Sequence, residues 1–132
     1  MITTPTLVLD KWKCIANIRR MSEKARQAQV RLRPQCKTHA CLEIAQWMRE
    51  HGNVQAITVS SLSMAEYFAP EWDDITVAFP INILEIATIN RIASQIPHLN
   101  IVVENLESVQ FLEQHLVSKI KVWIKIDVGY GR

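Results

Sequence analysis

The sequence predicts an α/β fold in which parallel strands alternate with helices. Short runs of β-branched residues recur at steps of roughly 19 to 26 residues, the rhythm of strands joined by right-handed helical crossovers. With 48% hydrophobic residues, 21% charged residues and three glycines, the 132-residue chain has the composition of one globular domain with a core. The predicted strands begin at Leu7, Leu32, Ala56, Ile75, Ile101 and Val122.

The first two strand and helix pairs have clear local signals. Thr6–Leu9 is predicted as a strand, and Asp10 is suited to cap a helix that runs to about Gln29. The apolar stripe of this helix is Trp12, Ile15, Ile18 and Met21. Val30–Lys37 is predicted as the second strand, and Gly52 is expected to end the second helix in the left-handed conformation.

The remaining elements follow the same alternation. A third strand is predicted over residues 56–60, followed by a short helix over residues 63–68 in which Ser63 and Glu66 have the spacing of a capping box. Pro80 ends the fourth strand, Asn82 is suited to cap the next helix, and Pro97 ends that helix. The last elements are predicted at 101–104 (strand), 108–115 (helix) and 122–128 (strand).

Two architectures share this rhythm, an open doubly wound sheet and an eight-stranded barrel. The open sheet could be complete at this length, whereas a (β/α)8 barrel takes about 250 residues. The chain ends at Arg132, directly after a hydrophobic strand and with no helix to cover it, which favours the barrel. Periodicity alone does not choose between the two architectures, and the barrel would be a partial (β/α)8 (TIM) barrel of about six parallel strands spanning residues 1–132.

Composition argues against several classes of protein. The net charge of +2, with Lys and Arg scattered along the chain, gives little support for nucleic-acid binding. No apolar run approaches the roughly 18 residues of a membrane span, and the N-terminus does not resemble a signal peptide. The three cysteines, Cys14, Cys36 and Cys41, show no paired metal-ligand spacing and suit a reducing compartment. We expect a cytoplasmic protein.

Lys37 is the first candidate for a catalytic residue. It lies near the end of a predicted strand and just before a helix, and in parallel α/β proteins the carboxyl ends of strands carry the chemistry. A lysine held there among apolar neighbours would have a lowered pKa, and its neutral amine could form a Schiff base with a carbonyl compound. The alternative is a solvated lysine in a loop.

Four segments carry a resemblance to a known family. The segments are Thr4–Asp10, Leu32–His39, Leu42–Ala45 and Ile124–Arg132. Taken in order and at their separations, they resemble the N-terminal barrel of the D-threonine aldolase and D-serine dehydratase family, which belongs with alanine racemase among the pyridoxal-phosphate enzymes of fold type III. The resemblance extends from about Thr4 to the end of the chain.

The resemblance implies roles for three residues. Lys37 matches the lysine that holds pyridoxal 5'-phosphate as a Schiff base. Arg132 matches the arginine beside the phenolic oxygen of the cofactor in alanine racemase, and Lys125 matches the carbamylated lysine that holds that arginine in some racemases. From the residues alone, Arg132 could instead be a frayed terminal side chain, and Lys125 could be paired with Asp127 on one strand face.

His39 is a further candidate, because residues 37 and 39 of an extended segment point to the same side. It could contact the cofactor ring or carry a proton, or it could be hydrogen-bonded at a strand–helix turn. The family commonly has His where Gln35 stands and Lys where Ala40 stands, so the surroundings of Lys37 are altered.

The resemblance also implies parts that these residues do not supply. The family places the cofactor phosphate in loops of later strands, and it adds a divalent-metal site and a C-terminal β domain. No set of the four histidines has convincing metal-ligand spacing. We therefore expect the N-terminal part of a lyase acting on D-amino acids, inactive by itself and prone to self-association through open barrel edges. A racemase, a non-catalytic pyridoxal-phosphate-binding protein and a complete doubly wound binding module are the alternatives.

Overall fold

The computed structural model describes residues 3–6 and 8–131. These residues form two compact units, one made of Met1–Leu32 and Leu42–Val54 and the other of Arg33–Cys41 and Gln55–Arg132. The second unit contains the sheet, and the first contains two helices.

The helical unit consists of α1 (Lys11–Gln27) and α2 (Leu42–Gly52). The Asp10 carboxylate accepts a hydrogen bond from the Lys13 backbone N–H at 3.1 Å, which confirms Asp10 as the N-cap of α1. The predicted apolar stripe of α1 is half right. Ile15 and Ile18 are buried, whereas Trp12 and Met21 are exposed.

Gly52 is needed for close packing rather than for a left-handed turn. It is the last residue of α2, and the positive φ expected there occurs instead at Asn53, with φ 51°. A Cβ on Gly52 would lie 2.6 Å from Ser22 Oγ and 2.9 Å from a methyl carbon of Ile18. The absence of a side chain therefore lets α2 approach α1.

The second unit contains a parallel sheet of four strands, β1 (Ile57–Val59), β2 (Asp74–Pro80), β3 (His98–Val103) and β4 (Lys121–Ile124). Helices connect the strands: α3 (Leu62–Phe68) follows β1, α4 (Ile86–Gln95) with a preceding 3-10 turn (Ile83–Glu85) follows β2, and α5 (Leu106–His115) follows β3. This alternation confirms the predicted α/β class.

The strand order distinguishes the two predicted architectures. The order is β1-β2-β3-β4, so each new parallel strand is added at the same edge of the sheet. A doubly wound sheet reverses its order at a switch point, whereas a barrel does not. The four described strands show no reversal, and they form part of a barrel that is not closed.

The expected count of six strands is wrong, because the two N-terminal predictions do not become strands. Residues 6, 8 and 9 form no strand, and Val8 is 73% exposed, so these residues gain none of the burial that would stabilise a strand. In the segment predicted as strand two, only Gln35 pairs, in a single parallel bridge with Thr58. Pro34 has no N–H to extend a ladder on that side. The sixth predicted strand ends at Ile124, because its partner β3 ends at Val103.

Side-chain caps begin α3, α5 and the 3-10 turn before α4. Asn82 accepts a hydrogen bond from the Leu84 N–H at 3.1 Å, as expected for a cap, although the first turn is 3-10 rather than α-helical. The predicted capping box at Ser63 is wrong. The N-cap of α3 is Ser61, whose Oγ accepts a hydrogen bond from Met64 N–H, so Met64 occupies the position that a capping box gives to an acidic or amide residue.

The core of this unit comes from alternate residues of the strands. The apolar residues of one sheet face are at most 5% exposed, and they are Ile57, Val59, Ile75, Val77, Leu99, Ile101 and Val103. The intervening residues Thr58, Thr76 and Asn100 pair with one another across β1, β2 and β3. One face of the sheet is therefore apolar and packed, and the other has a polar row. None of the described helices is long and apolar enough to cross a membrane.

Candidate functional site

The segment that carries Lys37 is attached to the edge of the sheet beside β1. Thr58 N–H donates to the Pro34 carbonyl and Cys36 N–H donates to the Thr58 carbonyl, each at 2.8 Å. Lys37 therefore leaves the sheet at its carboxyl edge, as the sequence predicts. The expected apolar surroundings are not found, since Lys37 is exposed while Cys36 is fully buried.

Residues 37–39 form a turn rather than an extended segment. The turn is closed by a hydrogen bond of 2.9 Å from Ala40 N–H to the Cys36 carbonyl, and Ala40 has a positive φ of 43°. The expectation that Lys37 and His39 share the two-residue alternation of a strand is therefore wrong, because this alternation requires an extended backbone. His39 is half-buried, in contrast to Lys37.

His39 has a defined tautomer. Its Nδ1 accepts a hydrogen bond from Cys41 N–H at 3.1 Å, so in the neutral ring Nε2 carries the proton. Burial lowers the pKa of His39, because the charged imidazolium is disfavoured away from water. Nε2 is buried and has no hydrogen-bond partner in the part of the chain that the structure describes. The turn that follows Lys37 therefore holds an unsatisfied N–H donor.

A charged cluster anchors the same segment at the other end. The Arg33 guanidinium donates to the Asp74 carboxylate through its two terminal nitrogens, Nη1 and Nη2, at 2.8 and 3.0 Å. Asn100 Nδ2 also donates to Asp74, at 2.9 Å. Burial alone would raise the pKa of Asp74, but the Arg33 and Asn100 hydrogen bonds outweigh burial and hold it below its ordinary value. Arg33 also donates to the Ile57 carbonyl at 3.3 Å. Since only Gln35 pairs with the sheet, this cluster is the second attachment of the lysine segment.

Sequence reasoning did not find this cluster. Its members are 41 residues apart for Arg33 and Asp74 and 26 residues apart for Asn100 and Asp74. One signal was available, since Asp74 and Asn100 are polar residues within otherwise apolar strand sequences. A buried polar residue in such a run usually has a specific partner.

Lys125 follows β4 at the carboxyl edge of the sheet and is exposed. Its backbone N–H donates to the Val103 carbonyl at 2.9 Å, and its Nζ lies 3.4 Å from Glu104 Oε2. The alternative that Lys125 pairs with Asp127 is wrong. Lys125 is paired with Glu104, and the Asp127 carboxylate accepts a hydrogen bond from Gly129 N–H. Arg132 lies outside the described residues.

The cysteines and acidic residues do not form a metal centre in the described ranges. No group of three or more His, Cys, Asp or Glu side chains within residues 3–6 and 8–131 is arranged to hold a metal ion. Burial raises the pKa of Cys36 to about 11, so this thiol stays protonated at neutral pH.

Known proteins resemble this chain over nearly its whole length. It is 32% identical to a D-serine dehydratase of Dictyostelium discoideum over 99% of the chain and 36% of that protein. It is 30% identical to a D-threonine aldolase of Arthrobacter sp over 99% of the chain and 35% of that protein. The chain thus spans about a third of the length of these curated relatives.

Solved structures have the same fold. A D-threonine aldolase from Filomicrobium marinum superposes with a TM-score of 0.90 over 98% of this chain and 36% of its own, at 22% identity. The D-threo-3-hydroxyaspartate dehydratase from Delftia sp. HT23 superposes with a TM-score of 0.87 over 99% of this chain and 35% of its own, at 29% identity. The family model described as "Alanine racemase, N-terminal domain" matches residues 9–132. The chain belongs to this alanine racemase N-terminal domain family.

Proposed function

We propose that this chain is the N-terminal portion of a pyridoxal-phosphate barrel from a lyase that acts on D-amino acids, and that Lys37 is the attachment point of the cofactor. One observation carries the proposal: an exposed lysine stands at the carboxyl edge of the parallel sheet, directly after a segment that is attached to the sheet unit at Arg33 and Gln35. The names of the relatives, D-serine dehydratase, D-threonine aldolase and D-threo-3-hydroxyaspartate dehydratase, support the reaction class.

The residues around Lys37 fit such a cofactor. No hydrogen bond or ion pair engages the Lys37 Nζ among residues 3–6 and 8–131, so the amine is available to an aldehyde. The N–H at His39 Nε2 is buried and unsatisfied, and a buried donor without a partner costs about 1–3 kcal/mol. A site that gains an acceptor from a bound group recovers part of this cost.

The protein groups have separable tasks. Pyridoxal phosphate bound at Lys37 would supply a ring able to take up electron density from the substrate Cα. Lys37 binds the cofactor covalently through Nζ and, when its amine is free, holds a proton there. Arg33 and Asp74 orient the segment that carries Lys37, because the bidentate pair fixes residue 33 against the start of β2.

Lys125 and Arg132 complete the proposal from the resemblance. A guanidinium at residue 132 would neutralise an anionic oxygen and orient it with a planar pair of donors, a task that a lysine performs less well. Lys125, at the carboxyl edge after β4, would act by holding that arginine. Any divalent metal would be bound by residues outside the described ranges.

Cofactor attachment is tested by absorbance and by equilibrium dialysis of the purified chain with pyridoxal phosphate. We expect an absorbance band near that of a lysine imine in the wild type, its loss in Lys37→Ala and Lys37→Arg, and its retention in Lys119→Ala, which removes another exposed lysine. Equal binding by the wild type and Lys37→Ala would contradict the proposal. Turnover of D-amino acids is expected of the longer enzyme and not of this chain alone. Cofactor binding without turnover by both would favour a non-catalytic binding protein.

A further inference from the structure

A cavity of about 290 Å³ opens at the carboxyl ends of β1, β2 and β3. In parallel α/β proteins this edge is where small molecules bind. Most of its lining residues are apolar, and the polar ones lie in the connections that follow β1 and β2. The apolar lining residues are Leu62, Val77, Phe79, Pro80, Ile81, Ile89 and Ile101, and the polar ones are Ser60, Ser61, Asn82 and Glu85.

An irregularity in β2 shapes this wall. Val77 pairs with Ile101, but the next pair is Pro80 with Val102, so two residues of β2 are inserted against none of β3. One of them is Phe79, which is 63% exposed and lines the cavity. Bulges at strand ends commonly redirect side chains next to sites of function. Here the bulge gives the cavity an aromatic wall.

The charge of the lining is negative. Among residues 3–6 and 8–131, Glu85 is the only charged residue that lines the cavity, and no Lys, Arg or His of these ranges accompanies it. An anionic group placed there would meet a carboxylate and apolar walls, with no cation to offset the loss of its hydration. An uncharged group would not be repelled by Glu85 and would lose much less hydration free energy.

The polar side can bind a hydroxyl group. The Asn82 side-chain oxygen is used to cap the 3-10 turn, whereas its amide N–H groups make no hydrogen bond within the described ranges. Ser60 Oγ donates to the Met64 sulfur at 3.3 Å and keeps its lone pairs. A hydrogen-bond donor and an acceptor are therefore available among the lining residues.

The cavity lies next to the segment of Lys37. Gln35 and Thr58 are bridge partners, and Lys37 and Ser60 each follow by two residues. The segment before Lys37 is therefore the neighbour of β1, and neighbouring strands are about 4.8 Å apart. A molecule attached at Lys37 would start beside the strand whose following residues, Ser60 and Ser61, line the cavity.

We propose that this cavity receives the side chain of the amino-acid substrate, and that Glu85 makes the site selective for uncharged side chains over acidic ones. The inference rests on the proposed function, because only a substrate held at Lys37 would present its side chain here. The names of the relatives include both uncharged amino acids, D-serine and D-threonine, and an acidic one, D-threo-3-hydroxyaspartate. A charge preference of this cavity would distinguish between these two classes of substrate.

Two probes of the same branched skeleton test the selectivity without the cofactor: isobutanol, which is neutral, and isobutyrate, which is anionic. Titration of the cofactor-free chain is followed by NMR shifts of the methyl groups of Leu62, Ile89 and Ile101. We expect the apparent affinity for isobutanol to be at least tenfold higher than that for isobutyrate. The Glu85→Gln variant should reduce this difference in affinity, and Glu85→Lys should reverse it.

Asp73→Lys is the matched control. It makes the same change of charge at an exposed residue, but Asp73 precedes β2 at its amino end, about 20 Å from the carboxyl end where the cavity opens. The control should keep the wild-type difference in affinity. Equal affinity for the two probes, no shift with either, or the same change in the control as in Glu85→Lys would overturn the proposal.

A second titration links the cavity to the amino acid. With pyridoxal phosphate present, D-threonine should shift the same methyl signals, and D-aspartate should not do so until Glu85 is replaced by Lys. Shifts by D-aspartate in the wild type would contradict the selectivity. If cofactor attachment at Lys37 fails while the two-probe result holds, the proposed function is wrong and the charge preference of the cavity stands by itself.

Discussion

The centre of the sheet and its two margins differ in burial, although all of them derive from similar apolar sequence. In β1, β2 and β3, Ile57, Ile75 and Ile101 are at most 1% exposed, whereas Val122 and Ile124 of β4 are 48% and 74% exposed. At the opposite margin, the segment before Lys37 makes a single bridge. Stability is thus concentrated in the central strands, and the candidate lysines, Lys37 and Lys125, stand at the margins. Changes at the two places should have different effects.

The largest expected effect is a core truncation in a central strand. Ile101→Ala removes a side chain that is 1% exposed, and we expect a loss of about 2–5 kcal/mol in the free energy of unfolding, because the truncation leaves a cavity. Ile124→Ala is the matched control at the margin, with an expected change below about 0.5 kcal/mol. Urea denaturation of both variants measures the difference. Equal losses would show that β4 is packed as tightly as β3.

A smaller effect is expected from the cluster that fastens the Lys37 segment. Asp74→Asn removes a half-buried carboxylate bound by Arg33, and we expect a loss of about 1–3 kcal/mol at pH 7. Because the folded state lowers the pKa of Asp74, its contribution is fully present above the ordinary aspartate pKa and is lost as the pH falls through the lower, folded value. The stability curves of the wild type and the variant should therefore converge only below about pH 4. A difference that is independent of pH would contradict the ionic account.

The exposed margin also predicts self-association. The apolar side chains of β4 and the residues after it, including Trp123 at 55% exposure, present an open edge. We expect the isolated chain to associate in sedimentation experiments, and Ile124→Lys to weaken that association at least tenfold, since a lysine on an edge strand opposes pairing. A monomer at millimolar concentration would show that the edge does not pair.

The smallest effect on stability is expected at Lys37 itself. The side chain is exposed and makes no hydrogen bond in the described ranges, so Lys37→Ala should change the free energy of unfolding by less than about 0.5 kcal/mol. The same variant should abolish cofactor attachment. A large loss of stability would mean that Lys37 is a structural residue.

The central elements could be predicted from sequence because local pattern and burial agree there. β2 contains the β-branched run Ile75–Val77 and β3 contains Ile101–Val103, and the core face of their alternation is buried as the pattern requires. The strand predictions for the two N-terminal segments are wrong for a physical reason. A strand needs a ladder of hydrogen bonds to a neighbouring strand. Residues 6, 8 and 9 pair with no strand among the described residues, and residues 30–34 add no further ladder to the single bridge at Gln35, whatever their propensity.

The candidate site was predictable to a similar degree. The place of Lys37 at the carboxyl edge follows from sequence, because it depends only on the order of strand and helix. The turn at residues 37–39 was not predictable in the same way. It depends on the hydrogen bond from Ala40 N–H to the Cys36 carbonyl and on a positive φ at Ala40, a conformation that non-glycine residues rarely adopt. The Arg33–Asp74–Asn100 cluster depends on tertiary contact between three segments, and local pattern carries no information about which segments meet.

The central claim is that Lys37 is chemically distinct from the other lysines of the chain. The most direct measurement is borohydride reduction of the chain with less than one equivalent of pyridoxal phosphate, followed by digestion and mass spectrometry of the modified peptides. Lys125 is the internal comparison, because it is exposed at the same edge of the sheet but lies 3.4 Å from Glu104. The account predicts that most of the label is on the peptide containing Lys37. Label spread evenly over the exposed lysines, or concentrated on Lys125, would contradict it.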